Sequence, residues 1–114
     1  MKLEFLYVPT ADVTASLRVY RDVFGATELW REGEATVALS LPGTDAQVML
    51  DLDDQAPAGP LFTVDSVRDF HASRADSLVV VSDPSEIPGG FMATYRDAGG
   101  TTIYLLDQST SDAG

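Results

Sequence analysis

The chain carries one pattern twice, and this internal repeat constrains the fold more than any other feature of the sequence. The segment ALSLPGTDAQVMLDL at 38–52 parallels TYRDAGGTTIYLLDQ at 94–108, and FLYVPTADV at 5–13 parallels PLFTVDSV at 60–67. A repeat of this kind indicates a structural unit that cannot bury its own hydrophobic face alone. We therefore expect two copies of one unit within 114 residues, a length typical of a single domain.

Hydrophobic periodicity predicts the order of elements in the first half. A strand at 3–8 precedes a helix at 12–24, which Asp12 caps and Gly25 terminates. Short strands are expected at 27–30, 36–41 and 47–52, with the turn PGTD between the last two.

The second half repeats this order after the proline- and glycine-containing segment DDQAPAGP. We expect a strand at 61–64, a helix at about 66–74 capped by Asp65, and strands at 78–82, 91–95 and 101–106, with DPSEIPGG at 83–90 as a loop. The predicted fold class is α+β, with two βαβββ modules forming curled mixed sheets around a cleft and the helices on the outside. The expected boundaries within this single domain are 1–54 for the first module, 55–59 for a linker, 60–108 for the second module and 109–114 for a flexible tail.

Composition excludes several classes of function. Eighteen acidic and seven basic residues give a net charge of −11, which disfavours nucleic acid as a partner and attracts cations. The chain has no cysteine, so disulfides, thiolate catalysis and cysteine-based zinc sites are excluded. No apolar run approaches the roughly 20 residues that span a bilayer, and the N-terminus shows no signal-peptide pattern. We expect a cytoplasmic protein with no membrane partner.

Two segments resemble a known family. FLYVPTADVTASLRVYRDVFG at 5–25 is similar to the opening strand and helix of the vicinal oxygen chelate superfamily, which includes glyoxalase I, bleomycin resistance proteins and extradiol dioxygenases. RDAGGTTIYLL at 96–106 is similar to its closing turn and strand, although Ala98 and Thr101 stand where the family has proline and asparagine. The resemblance implies the fold over nearly the whole chain, but this fold hosts unrelated chemistries.

The resemblance also implies where a metal would bind. Metal-dependent members fill four strand positions with His, Gln or Glu, and here these positions fall on Phe5, on Leu50 or its neighbour Asp51, on Pro60 or Gly59, and on Tyr104. Phenylalanine, leucine and proline side chains offer no lone pair, and a neutral tyrosine is a poor ligand. We therefore expect no bound metal and no cofactor, and we assign no catalytic residue.

Aromatic and apolar side chains at these positions favour a ligand-binding cup. We expect the ligand to contact Phe5, Tyr7, Trp30, Leu50, Phe62 and Tyr104. An aromatic surface without a metal suits a flat or cationic organic molecule. Core packing remains the alternative for each of these side chains.

Three other features have simple structural interpretations. His71, the sole histidine, is expected on the surface or in the packing of the second helix. DLDDQ at 51–55 lacks the glycine and distal glutamate of an EF-hand, and PGG at 88–90 lacks the lysine and helix of a phosphate-binding loop. We interpret DLDDQ as a solvated strand end and PGG as part of a mobile loop.

The sequence leaves more than one functional class open. The first hypothesis is a metal-independent, homodimeric protein that sequesters a small cationic or aromatic molecule, as bleomycin resistance proteins do. The second is a metal-dependent lyase, isomerase or dioxygenase, which requires a metal held by Asp51, His71 or other residues. The third is an interaction module without a ligand.

Overall fold

The computed structural model describes residues 1–111, and its elements follow the predicted order. The strands and helices are β1 (Lys2–Thr10), α1 (Val13–Asp22), β2 (Thr27–Glu32), β3 (Thr36–Ser40), β4 (Gln47–Leu52), β5 (Gly59–Thr63), α2 (Val67–Ser73), β6 (Val79–Ile87), β7 (Gly90–Arg96) and β8 (Thr102–Leu106). Residues 112–114 of the expected tail lie outside the described part of the chain. Neither helix in residues 1–111 has the length and apolarity needed to cross a membrane.

Within residues 1–111 the backbone forms two compact units, one of residues 5–58 and the other of residues 1–4 together with 59–111. In the first unit the strands lie in the order β2-β3-β4-β1, and β1 is parallel to β4 while the other pairs are antiparallel. In the second the order is β5-β8-β7-β6, with β5 parallel to β8 and the other pairs antiparallel. The same topology therefore occurs twice, and the predicted α+β class with two βαβββ modules and mixed sheets is confirmed.

Each helix packs on one face of the sheet in its own unit. In the first unit, Val13 and Leu17 of α1 pack on alternate residues of β3 and β4, namely Val37, Leu39, Val48 and Leu50. In the second, Val67 of α2 packs on Ala93, Tyr95 and Leu105. Alternation along each strand then directs the intervening side chains to the opposite face.

The helix ends differ slightly from the sequence prediction. Asp12 caps α1 as expected, because its carboxylate accepts the N–H of Ala15 at 3.0 Å. The helix ends at Asp22 rather than at residue 24, since Gly25 takes a left-handed φ of 74° and the chain reverses there. The cap of α2 is Ser66, whose hydroxyl accepts the N–H of Asp69 at 3.1 Å, so the prediction of Asp65 was wrong by one residue.

The segment at 83–90 is not the loop that its composition suggested. β6 continues through Pro84 to Ile87, and the connection to β7 consists of Pro88 and Gly89. Proline is tolerated because β6 is the last strand of the order in its unit and its pairing with β7 shifts register on both sides of Ser82. PGG was predicted as part of a mobile loop, but Pro88 and Gly89 form a tight turn between β6 and β7, with Gly89 at a φ of 82°.

Candidate functional site

The face of the first sheet that lies opposite α1 carries polar and aromatic side chains in adjacent cross-strand rows. Strand pairing aligns Pro9, Asp51 and Thr36 in one cross-strand row, which Glu32 extends on β2. The neighbouring row contains Tyr7, Met49, Ala38 and Trp30. This face thus combines a carboxylate row with an aromatic row.

Asp51 is held in place by two hydroxyl groups. The Thr36 hydroxyl donates to Oδ1 at 2.7 Å, and the Tyr7 hydroxyl donates to Oδ2. Tyr7 is 5% exposed, whereas Asp51 and Thr36 are half-buried. The carboxylate is therefore fixed in orientation while part of it still reaches solvent.

An aromatic pair lies on the same face. The rings of Phe5 and Trp30 meet edge to face, with their centroids 6.4 Å apart and an angle of 82° between them. Ala38, which pairs with Trp30 across β2 and β3, is fully buried. Its small side chain allows the two large rings to approach each other above the sheet. Trp30 keeps 40% of its surface exposed and can meet a ligand.

The structure brings together three of the six predicted ligand contacts, namely Phe5, Tyr7 and Trp30. Leu50 lies on the other face of the sheet, fully buried in the core cluster beneath α1. Its neighbour Asp51, the alternative left open by the sequence, shares the face of Tyr7. Alternation explains the difference, because a shift of one residue along a strand moves a side chain to the opposite face.

In the second unit the remaining two contacts are separated. Phe62 packs on the cluster beneath α2. Tyr104 lies opposite Leu61 on β5 and Thr94 on β7. It is next to Leu105, which packs beneath α2, so its side chain lies on the face away from α2, where it is 3% exposed. Its ring approaches Gly59, where a Cβ would lie 3.5 Å from Cε2 of Tyr104. Gly59 is thus one of the positions that the family resemblance assigned to a metal ligand, and it offers no side chain.

The donor set does not fit the metal that the family resemblance implies. Among residues 1–111, no group of three or more His, Asp, Glu or Cys side chains is placed to hold a metal ion. Of the family positions, only Asp51 provides a carboxylate.

His71 has partners that the sequence did not reveal. Its Nδ1 lies 2.8 Å from the hydroxyl of Tyr95, and its Nε2 lies 3.4 Å from Oδ1 of Asp83. Tyr95 is fully buried, and burial raises the pKa of its phenol, while Arg74 lowers it and Asp83 raises it further. Because the Tyr95 hydroxyl is out of reach of a ligand, the cluster serves packing of α2 on its sheet, which agrees with the packing role expected for His71.

A second buried carboxylate, Asp107, organises the end of the second sheet. It is 1% exposed and accepts the backbone N–H of Val67 at 2.6 Å, of Phe91 at 2.9 Å and of Ser109 at 3.0 Å, together with the Ser109 hydroxyl at 2.8 Å. Burial raises the pKa of this carboxyl, but the hydrogen bonds outweigh burial and leave it below its usual value. Both oxygens of Asp107 accept hydrogen bonds and the side chain is almost fully buried, so its role is structural.

No protein-family model matches the chain, and no curated protein matches it significantly in sequence. Solved structures do match. A glyoxalase/bleomycin resistance protein/dioxygenase superfamily member from Vibrio splendidus aligns over 89% of this chain and 93% of its own, with a TM-score of 0.58 and 15% identity. The chain has the vicinal oxygen chelate fold.

Two further structures extend this likeness. Streptomyces coelicolor methylmalonyl-CoA epimerase, in complex with 2-nitronate-propionyl-CoA, covers 99% of both chains with a TM-score of 0.69 and 16% identity. A Legionella pneumophila structure described as an NAD-dependent benzaldehyde dehydrogenase covers 90% of this chain and 96% of its own, with a TM-score of 0.74 and 11% identity. At such identities the shared vicinal oxygen chelate fold carries no chemistry with it.

Proposed function

We propose that the protein binds a small organic molecule that carries a positive charge beside an aromatic ring, and that it does so without a metal. The observation that carries this proposal is the oriented carboxylate of Asp51, which shares one sheet face with the Phe5–Trp30 pair. An anion and an aromatic surface side by side are complementary to a flat cation.

The carboxylate of Asp51 retains the capacity to bind a ligand. An ionised carboxylate has about four lone-pair positions, and the hydrogen bonds from Tyr7 and Thr36 use one on each oxygen. Because Asp51 is half-buried, a cation there meets a charge that water screens less than it screens a fully exposed one. The net charge of −11 further favours approach of a cation.

Binding rather than catalysis is supported by the chemistry of the available groups. A metal-dependent lyase, isomerase or dioxygenase needs several donors around one ion, and the four family positions supply Asp51 alone. We therefore expect that dialysis against a chelator leaves both the Tm and ligand affinity unchanged. A divalent metal lost together with ligand binding would instead favour the metal-dependent alternative.

The direct test uses the sole tryptophan as a reporter. Trp30 lies on the proposed binding face, so its fluorescence can be followed while cationic, neutral and anionic aromatic compounds are added. The cationic compounds should change the fluorescence at the lowest concentrations. Calorimetry on the same compounds gives affinities that do not depend on fluorescence.

Two variants distinguish the effect of the charge at Asp51 from the effect of the net charge of the protein. Asp51→Asn removes the charge at the site and is expected to weaken binding of the cationic class by at least tenfold, since a charge-assisted hydrogen bond contributes about 1.5–3 kcal/mol. Asp45→Asn removes the same charge from an exposed turn and should leave affinity nearly unchanged. Equal losses in both variants would show that only net charge matters and would contradict a site at Asp51.

We further propose that the protein acts by sequestration, as a homodimer in the manner of bleomycin resistance proteins. The fold supports this analogy only at the level of architecture. Light scattering coupled to gel filtration gives the mass in solution, and a monomer at all concentrations would contradict the dimer without affecting the proposed ligand site.

A further inference from the structure

We propose that the site at Asp51 selects cations that carry N–H groups over quaternary ammonium ions, and that Tyr7 and Thr36 are the positioning residues that create this selectivity. The inference rests on the proposed function and narrows its ligand to a protonated amine. It follows from how the carboxylate is held rather than from its charge alone.

The two oxygens of Asp51 are anchored separately. Thr36 donates to Oδ1 at 2.7 Å and Tyr7 donates to Oδ2, so rotation of the carboxylate would break at least one of these bonds. Thr36 also lies directly opposite Asp51 in the pairing of β3 with β4. Tyr7 lies on β1 and only 5% of its surface is exposed. The lone pairs that remain on each oxygen are therefore presented in fixed directions.

Fixed lone pairs favour a donor over a bare charge. A protonated amine forms charge-assisted N–H···O bonds of about 2.7–2.9 Å, and a directed acceptor strengthens them because little orientational freedom is lost on binding. A quaternary ammonium ion has no N–H and keeps its charge behind methyl groups. The quaternary ion is therefore attracted to Asp51 only by the Coulomb interaction, which the surrounding water weakens.

The aromatic pair does not reverse this preference. Quaternary ammonium ions are recognised by cages in which several ring faces point at the cation. Here the rings of Phe5 and Trp30 stand at 82° and meet edge to face, so the edge of one ring covers part of the face of the other. The pair can flank the aromatic part of a ligand but offers few free faces to a methylated cation.

The experiment compares benzylamine with benzyltrimethylammonium, which differ in N–H groups but share the ring and the charge, and uses benzyl alcohol as a neutral reference. We expect wild-type protein to bind benzylamine at least tenfold more tightly than the quaternary ion. In Asp51→Asn the ratio of the two affinities should fall to about one. These effects are measured by calorimetry at pH 7, with Trp30 fluorescence as a second readout.

Variants of the positioning residues test the mechanism. Thr36→Val keeps the shape of the side chain but removes its hydroxyl, and it should lower the affinity ratio several-fold while the affinity for benzyl alcohol stays constant. Thr36→Ser restores the donor and should restore the ratio. Thr27→Val, on the exposed strand β2, is the matched control and should leave the ratio unchanged. Tyr7→Phe should act as Thr36→Val does, provided its Tm shows that it is folded.

The outcomes distinguish this inference from the proposed function. If none of the three compounds binds at millimolar concentration, the proposed function and this inference both fail. If both cations bind with equal affinity and Asp51→Asn weakens both, the proposed function stands and the selectivity is overturned. If the ratio is high but Thr36→Val and Tyr7→Phe leave it unchanged, the positioning role is overturned.

Discussion

Asp51 and Asp107 are both carboxylates that accept hydrogen bonds, yet their surroundings give them different roles. Asp51 is half-buried and accepts two side-chain hydroxyls, which leaves acceptor capacity for a ligand. Asp107 is almost fully buried and accepts three backbone N–H groups and one hydroxyl. The first is the ligand contact that we propose, and the second joins the start of α2, the start of β7 and Ser109.

The environment of Asp107 predicts a loss of stability in acid. Burial raises the pKa of its carboxyl and the hydrogen bonds lower it, with a net decrease relative to the unfolded chain. A carboxyl whose pKa is lower in the folded state stabilises fully above its unfolded pKa, which is near 4, and this contribution is lost as the pH falls from there through the folded pKa. Thermal unfolding measured from neutral to acidic pH should therefore show a Tm that falls below about pH 4.

Replacement of Asp107 tests the same contacts at neutral pH. Asp107→Asn turns one acceptor oxygen into a donor that faces N–H groups, so we expect a loss of about 1–3 kcal/mol in the free energy of unfolding. Urea denaturation measures the loss, and Asp76→Asn at an exposed position is the control with the same change of charge. A wild-type-like variant would show that the hydrogen bonds of Asp107 contribute little.

At the scale of elements, the two helices begin in different ways. The N-terminus of α1 is satisfied locally, by Asp12 three residues before Ala15. The N-terminus of α2 depends on Ser66 for a local bond and on Asp107, 40 residues away, for the N–H of Val67. The start of α1 is therefore encoded in its own segment, whereas α2 is completed by a strand end distant in sequence.

The cap of α1 yields a prediction that is independent of the rest of the fold. Asp12→Ala removes the acceptor for the Ala15 N–H and should cost about 1 kcal/mol in the free energy of unfolding. Asp12→Asn retains an N-cap oxygen and should cost much less. Chemical denaturation of both variants checks this, and equal losses would point to the charge of Asp12 rather than to the cap.

Close packing of β5 on β8 gives a further stability prediction. A Cβ at Gly59 would lie 2.5 Å from the backbone oxygen of Thr102. Because this oxygen belongs to a paired strand, it can move only slightly to relieve the clash. We expect Gly59→Ala to destabilise by about 1–3 kcal/mol, the usual cost of overpacking. Gly99→Ala is the control, because its Cβ would meet nothing closer than 3.4 Å. Unfolding in urea compares the two, and equal stabilities would mean that β5 shifts without cost.

At the scale of the whole molecule, charge is the dominant property. The net charge is −11, and the ion pairs between arginine and acidic side chains within residues 1–111 are Arg21–Asp22 and Arg31–Glu28. Pairs with exposed partners contribute little to stability. Repulsion among the many unpaired acids therefore exceeds the attraction within these few pairs.

This balance predicts that salt stabilises the protein. Raising sodium chloride from about 20 mM to about 200 mM shortens the screening length and should raise the free energy of unfolding by up to about 1 kcal/mol, or a few degrees in Tm. Near the sequence pI of about 4.1 the net repulsion vanishes, and the same salt should have little effect. A Tm that falls with salt at pH 7 would show that attractive pairs dominate after all.

The sequence alone determined the order of elements, the repeat and the fold class. These follow from local properties: the alternation of apolar residues in strands, the helical spacing that begins with Asp12, and glycines at turns such as Gly25. The same alternation places Phe5 and Tyr7, two residues apart, on one face of the sheet. The composition of the segment at 83–87 predicted a loop, because β6 tolerates turn-forming residues such as Pro84.

Which side chains meet depends on how the strands pair. Sequence could not choose between Leu50 and Asp51, because neighbouring residues in a strand differ in face by a single step of register, and the register is set by pairing with β1 and β3. The hydroxyls that orient Asp51 lie 44 and 15 residues away, and the donors around Asp107 lie up to 40 residues away. Contacts between segments so distant in sequence arise only when the strands assemble, and for that reason the chemistry of this site belongs to the fold rather than to any motif.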